Sequence, residues 1–98
     1  MDWHKNGNNY ETKYSTNDGD RSVTFDASGM LVESEVQIAV SALPASVMEY
    51  MKKNYTSDEM KGAYQITSAN GTTTYEAEVI GTGLIFDSNG NFIKPVKE

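Results

Sequence analysis

The sequence has 98 residues, of which 38% are hydrophobic, so it is large enough for one small domain with a thin core. Its net charge of −6 argues against nucleic acid and anionic membranes as partners, because phosphates would repel the chain, and is compatible with a basic partner. Cysteine is absent, which excludes disulfides, thiol catalysis and Cys-ligated metals, and no stretch is long and apolar enough to span a bilayer.

The first 38 residues predict four short antiparallel strands that are joined by tight turns. Tyr10–Tyr14 alternates aromatic or Thr residues with charged ones, which is typical of a strand with one wet face. Val23 and Phe25 are expected on one side of the next strand. The last strand is predicted to carry Met30, Val32, Val36 and Ile38 on its apolar face, with Leu31, Glu33, Glu35 and Gln37 opposite.

Residues 43–55 show a clear helical period, and we predict an α-helix there. Pro44 suits the first helical position, and the polar residues 56–58 are expected to end the helix. A helix of about three turns is not stable alone, so it should pack across one face of the sheet. Its apolar side is formed by Leu43, Val47, Met51 and Tyr55.

Residues 62–95 predict four more strands in a pattern that resembles residues 2–38. An F-D-x-x-G segment begins at both Phe25 and Phe86, and Trp3 and Tyr64 have the same separation as these two phenylalanines. The segment N-G-N-N-Y-E likewise matches N-G-T-T-T-Y-E. We therefore predict a single α+β domain over residues 1–98, with two four-strand meanders in one antiparallel sheet and the helix between them.

One face of this sheet should lie beneath the helix and the other should be polar. Aromatic residues that could form a partner-binding strip are Trp3, Tyr10, Tyr14, Tyr64 and Tyr75, and the alternative is that they form the core beneath the helix. The polar face is predicted to carry Glu11, Lys13, Glu33, Glu35, Glu76 and Glu78. If part of the apolar face is uncovered, a second copy of the chain, giving a homodimer, or another protein should cover it.

The sequence offers little catalytic or metal-binding chemistry. His4 is the single histidine, and it is expected to be exposed and structural, because one imidazole makes neither a two-His metal site nor a relay. Asp87 and the residues after it resemble the front of a calcium loop, but the distal bidentate carboxylate is missing. Turn chemistry explains both F-D-x-x-G segments better, with calcium binding as the alternative. We predict no catalytic residue, no cofactor and no metal.

The order of these pieces resembles the PepSY-like, β-lactamase-inhibitor-like domain of Bacteroidetes envelope proteins. The likeness rests on short segments: Asn6-Gly7, Tyr10-Glu11, Phe25–Gly29, Leu43-Pro44, Asn54-Tyr55, Tyr75-Glu76 and Phe86–Gly90. It implies an α+β fold akin to the tandem repeats of β-lactamase inhibitory protein, and secretion to the periplasm or envelope. It also implies a helix ahead of the first meander. Because no such segment precedes Trp3, we expect the protein to extend further at its N-terminus.

The resemblance and the residues together lead us to expect a non-enzymatic binding module, acting as a protein-binding inhibitor of an envelope or secreted enzyme. Aromatic anchors on the sheet would be ringed by acidic groups that steer a basic protein partner. The alternative is a small-ligand or calcium-binding envelope module that uses the F-D-x-x-G turns.

Overall fold

Eight antiparallel strands form one sheet in the computed structural model of this chain, which describes residues 2–17, 19–55 and 59–97. The strands follow chain order across the sheet, and a helix lies in the connection between the fourth and fifth strands. The strands are β1 Asp2–Asn6, β2 Asn9–Thr16, β3 Gly19–Asp26, β4 Leu31–Ile38, β5 Met60–Ser68, β6 Thr73–Val79, β7 Thr82–Asp87 and β8 Phe92–Lys97, and helix α1 spans Ala45–Asn54. The predicted mixed fold of an antiparallel sheet and a helix is confirmed.

The apolar side of α1 packs on the sheet as the four-residue spacing predicts. Val47 and Met51 are fully buried, Leu43 is buried just before the helix, and Tyr55 is half-buried against the same core. These side chains can leave water only by covering strands, because a ten-residue helix is too short to persist on its own.

The start of α1 differs from the prediction. Pro44 is the N-cap and not the first helical residue, because its ψ of 148° is extended and its carbonyl accepts the N–H groups of Val47 and Met48. A short 3₁₀ helix, Val40–Ala42, precedes it. The polar residues 56–58, which were predicted to end the helix, lie outside the described residues.

The core lies between α1 and the strands β5, β6 and β7. Ala63 and Ala77 pair directly and are both fully buried, and Leu84 pairs with Ala77 on the next strand. Small side chains at the centre of this row leave room for the helix to lie close to the sheet. Phe86 is 0% exposed and meets the Tyr50 ring edge-on, at 5.3 Å between centroids.

A β-bulge changes the predicted faces at the start of β4. Thr24 pairs with Glu33 but Phe25 pairs with Leu31, so Val32 is an extra residue between the two pairs. The extra residue reverses the alternation, which places Leu31 on the same face as Phe25 and not beside Glu33 as predicted. Met30, predicted on the apolar face of this strand, lies outside β4 and is 66% exposed.

The two F-D-x-x-G segments form closely similar turns. Asp26 Oδ1 accepts hydrogen bonds from the N–H groups of Ser28 and Met30 at 2.9 and 3.0 Å. Asp87 Oδ1 accepts them from the N–H groups of Asn89 and Asn91, both at 2.9 Å. Gly29 and Gly90 take positive φ values of 88° and 86°, which glycine adopts without strain. Each turn is followed by a register shift, and these shared details are compatible with the two predicted repeats, which stay a prediction.

Candidate binding surfaces

The face of the sheet opposite α1, which we call the acidic face, carries most of the charged strand residues. Strand pairing brings Glu11 opposite Thr24 and then Glu33, and Lys13 opposite Ser22 and then Glu35. All the residues predicted for the polar face share it: Glu11, Lys13, Glu33, Glu35, Glu76 and Glu78. Alternation along the strands therefore predicts this face correctly, because each charged residue is next to one that points toward the core.

An open depression of about 470 Å³ lies on the acidic face. It contains five carboxylates and two cations, an excess of three negative charges. Its lining consists of Glu11, Lys13, Tyr14, Ser15, Asp20, Arg21, Ser22, Glu35, Tyr64, Glu76 and Glu78. Half of the chain's net charge is therefore gathered around one concavity.

Polar side chains in the depression are partly removed from water. Ser22 is buried and its hydroxyl donates a hydrogen bond to Glu35 Oε2 at 3.5 Å. Glu76 is 7% exposed, and it makes interactions that hold its carboxylate in place. A charge that water screens less acts more strongly on whatever enters the depression.

Tyr64 is the aromatic residue that the carboxylates surround. Burial raises the pKa of its phenol, and the negative charges of Glu78, Glu35, Glu76 and Asp20 raise this pKa further. The phenol therefore keeps its proton at neutral pH and can donate a hydrogen bond, while its surroundings favour a positively charged group.

Glu33 lies on the acidic face beside the depression. Burial raises the pKa of Glu33 above its ordinary value of 4.5, and the negative charge of Glu11 contributes to the same shift. The carboxylate is thus less stable in its charged form here than in water, which is the opposite of a group held by a cationic partner.

The five aromatic residues predicted for a partner strip do not share one surface. Trp3 and Tyr10 lie on the helix side of the sheet, beyond the reach of α1, and are 53% and 39% exposed. Tyr14 is also exposed and lies at the edge of the acidic depression. Tyr75 is half-buried against the core, as the alternative interpretation expected.

Tyr64 lies on the other face from Trp3. Trp3 occupies a row that continues through Thr12, Val23 and Ser34 to Thr67, three residues from Tyr64 along β5. Side chains three residues apart in a strand point to opposite faces, so the sequence alignment of Trp3 with Tyr64 is out of register. Most of the predicted aromatic anchors are consequently not ringed by the carboxylates, and Tyr64 is.

Sequence reasoning missed two apolar residues of the exposed helix-side surface, Phe25 and Leu31. Phe25 is half-buried, with its ring 6.1 Å from that of Trp3, and its pairing partner Leu31 is 42% exposed. The bulge hid this pair, because strict alternation assigns Leu31 to the polar face. The F-D-x-x-G turn is the available signal, since the same turn is followed by a register shift in both hairpins.

The F-D-x-x-G turns use their aspartates to hold the backbone. The hydrogen bond from Ser28 and those from neighbouring N–H groups keep the pKa of Asp26 below its usual 3.8. The N–H of Asn91 is the largest cause of the lowered pKa of Asp87. These carboxylate oxygens are satisfied within the turns, which agrees with turn chemistry and leaves calcium binding without a supporting contact.

The described residues present little arrangement for metal binding or membrane insertion. His4 is exposed on β1, as expected, and pairs with Glu11 across the strands. Within the ranges that the structure describes, no group of three or more His, Cys, Asp or Glu side chains is placed to hold a metal ion. Among the same residues, no helix combines the length and apolar character needed to cross a membrane.

Comparisons with known proteins agree on the fold. A family model described as "Putative beta-lactamase-inhibitor-like, PepSY-like" matches residues 6–94. The sequence matches no curated protein at a significant level. A similar crystal structure is described as one of "putative periplasmic proteins" from Bacteroides eggerthii; it has 14% sequence identity and a TM-score of 0.80, over 98% of this chain and 75% of that chain. At this identity the likeness shows the fold alone.

Proposed function

Because this chain belongs to the PepSY-like, β-lactamase-inhibitor-like family, we propose that it is a non-catalytic periplasmic or envelope module that binds a protein partner. The description of the Bacteroides eggerthii structure supports the location, and the inhibitor-like family supports a binding role. The partner would be an envelope or secreted enzyme whose activity the module inhibits.

The observation that carries this proposal is the depression of the acidic face, with Tyr64 among five carboxylates. A basic segment of the partner would enter it, and its Lys or Arg side chains would pair with Glu35, Glu78 and Asp20. The Tyr64 phenol supplies an aromatic surface for contact and a hydrogen-bond donor. Clustered negative charge also speeds association with a cationic partner, and this effect weakens in salt.

Charge neutralisation inside and outside the depression tests this proposal. In Asp20→Asn/Glu78→Gln, two lining carboxylates are removed with little change in shape. In the control Glu33→Gln/Glu49→Gln, the same amount of charge is removed from positions that do not line the depression. Each exposed charge pair contributes about 0.2–1 kcal/mol, so the first variant should bind roughly two- to thirty-fold more weakly and the control nearly as well as wild type.

The measurement begins with capture from an envelope fraction of the source organism, followed by affinity measurement with the purified partner at two salt concentrations. A captured enzyme would then be assayed with increasing amounts of the module to test inhibition. If both double variants retained the partner equally, or if salt left the affinity unchanged, the acidic depression would not be the binding surface. A module that bound the enzyme without lowering its activity would retain the binding proposal and exclude inhibition.

A further inference from the structure

The helix side of β1–β4 presents an apolar surface that α1 does not reach. Lys5, Tyr10, Phe25 and Leu31 pair in turn across the four strands and form one continuous row, which we call the first-half row. Trp3 lies beside it, with its ring 6.1 Å from Phe25. Trp3, Tyr10 and Leu31 are all exposed, so aromatic and aliphatic groups face water together on a pleated surface.

A matching row in the second half of the sheet lies under the helix. Gln65, Tyr75, Phe86 and Phe92 pair across β5–β8 as the first-half row pairs across β1–β4. Tyr50 of α1 stacks on Phe92 at 5.2 Å. Both rows end at a bulge next to an F-D-x-x-G turn. The same strand geometry therefore receives a helix in one half of the molecule and none in the other.

We propose that the first-half row is a docking surface for an amphipathic α-helix of a partner protein, with acidic residues flanking the apolar stripe of that helix. Large apolar residues at four-residue spacing would cover Phe25 and Leu31, as Tyr50 covers Phe86 and Phe92. This surface is separate from the acidic depression, so the proposal does not depend on the basic partner proposed above.

Charge determines which helix fits. The first-half row contains the cation Lys5, and the nearby carboxylates of Glu11 and Glu33 belong to the opposite face. An acidic residue on the incoming helix would pair with Lys5. A two-fold dimer through this surface would instead press the same cation-bearing row against itself, and α1 of a second copy would bring Lys52 and Lys53. An acidic helix from a different protein is therefore favoured over a second copy.

Trp3 makes the test direct, because it is the one tryptophan of the sequence and lies at this surface. The probe is a lactam-stapled helical peptide with the sequence of residues 43–55 carrying Lys52→Glu and Lys53→Glu; stapling is needed because so short a peptide is otherwise mostly unfolded. Binding should produce a saturable blue shift of Trp3 emission and should protect it from acrylamide quenching.

Variants show whether this shift reports the proposed contact. Tyr10→Ala should weaken peptide binding about tenfold or more, while Ile80→Ala, which removes an exposed apolar side chain elsewhere, should leave it unchanged. Lys5→Glu should reverse the charge preference, so that the peptide with its original lysines binds better than the glutamate version. This reversal requires no loss of apolar contact and thus separates docking from a folding defect.

Several results would overturn the proposal. These are no change in Trp3 emission, equal binding by wild type and Tyr10→Ala, or equal binding of an unstapled control with proline at its centre. Sedimentation of the protein alone gives the remaining outcome: concentration-dependent dimers that protect Trp3 from quenching would make a second copy the occupant and reject the acidic helix.

Discussion

Replacing Gly90 with alanine should destabilise the protein through two separable effects. The first is conformational, because φ at Gly90 is +86° and a side chain in this region costs roughly 1–2 kcal/mol. The second is steric: a Cβ there would collide with Ser46 Oγ and lie 3.0 Å from Ser46 Cβ, at the start of α1. Such overpacking costs about 1–3 kcal/mol, so the total loss should be about 2–5 kcal/mol.

Gly29 provides the matched control. It occupies the same position of the other F-D-x-x-G turn with φ of +88°, but a Cβ there would meet nothing within 4 Å. Gly29→Ala should therefore show the conformational cost alone, about 1–2 kcal/mol. The difference between the two variants measures how closely the second turn approaches α1.

Urea unfolding followed by circular dichroism is the assay, with the midpoint expected to shift while the m-value stays constant. Ser46→Ala combined with Gly90→Ala should recover part of the loss, because the closest atom is gone while Ser46 Cβ remains near. Equal losses for Gly29→Ala and Gly90→Ala would refute the reasoning, since α1 would then not rest against the turn. Ser46→Ala alone removes only the hydrogen bond to the Asn89 carbonyl, of 3.0 Å, and should cost about 1 kcal/mol.

Other predictions concern the core and the titrating groups. Met51→Ala should lose about 2–5 kcal/mol in urea unfolding because Met51 is fully buried, while Met30→Ala, at an exposed site, should change stability by less than about 0.5 kcal/mol; similar losses would contradict the assigned core. The raised pKa of Glu33 means that the native state binds a proton where the unfolded state does not, so stability should rise as pH falls toward 4.5; Glu33→Gln should abolish this rise in a melting series. The lowered pKa of Asp87 has the opposite sign: its contribution is present above pH 3.8 and lost as pH falls through the folded pKa, and Asp87→Asn should flatten that acid limb. In an ultraviolet titration Tyr64 should ionise above pH 10, with high salt moving its midpoint back toward 10, and an unchanged midpoint would argue against the surrounding carboxylates.

The two surfaces of the sheet differ in how each could be predicted. The acidic face follows from alternation, since Glu76 and Glu78 flank Ala77 and an alanine in the core leaves the glutamates no other side. The depression does not follow from alternation. Its shape depends on how far the sheet curls between Glu11 on β2 and Glu78 on β6, and no local pattern encodes that curvature.

The apolar surface was harder to predict because a single extra residue redirects it. Leu31 joins Phe25 only when Val32 is left out of the pairing, and the sequence pattern on either side continues through the bulge without a break. The exposed row across β1–β4 also requires that α1 lie over the second half alone. Period and length predict that a helix forms at residues 45–54, but they do not say which half of the sheet it covers.

By itself the sequence determined the elements: strands with one charged face, turns held by Asp26 and Asp87, and a helix whose buried stripe is set by Val47 and Met51. These features depend on residues a few positions apart, so local spacing is sufficient to specify them. Only the tertiary structure decided which side chains share a surface. Register and helix position placed Tyr64 among carboxylates and left Trp3 beside a bare apolar row, because both depend on contacts between segments distant in the chain.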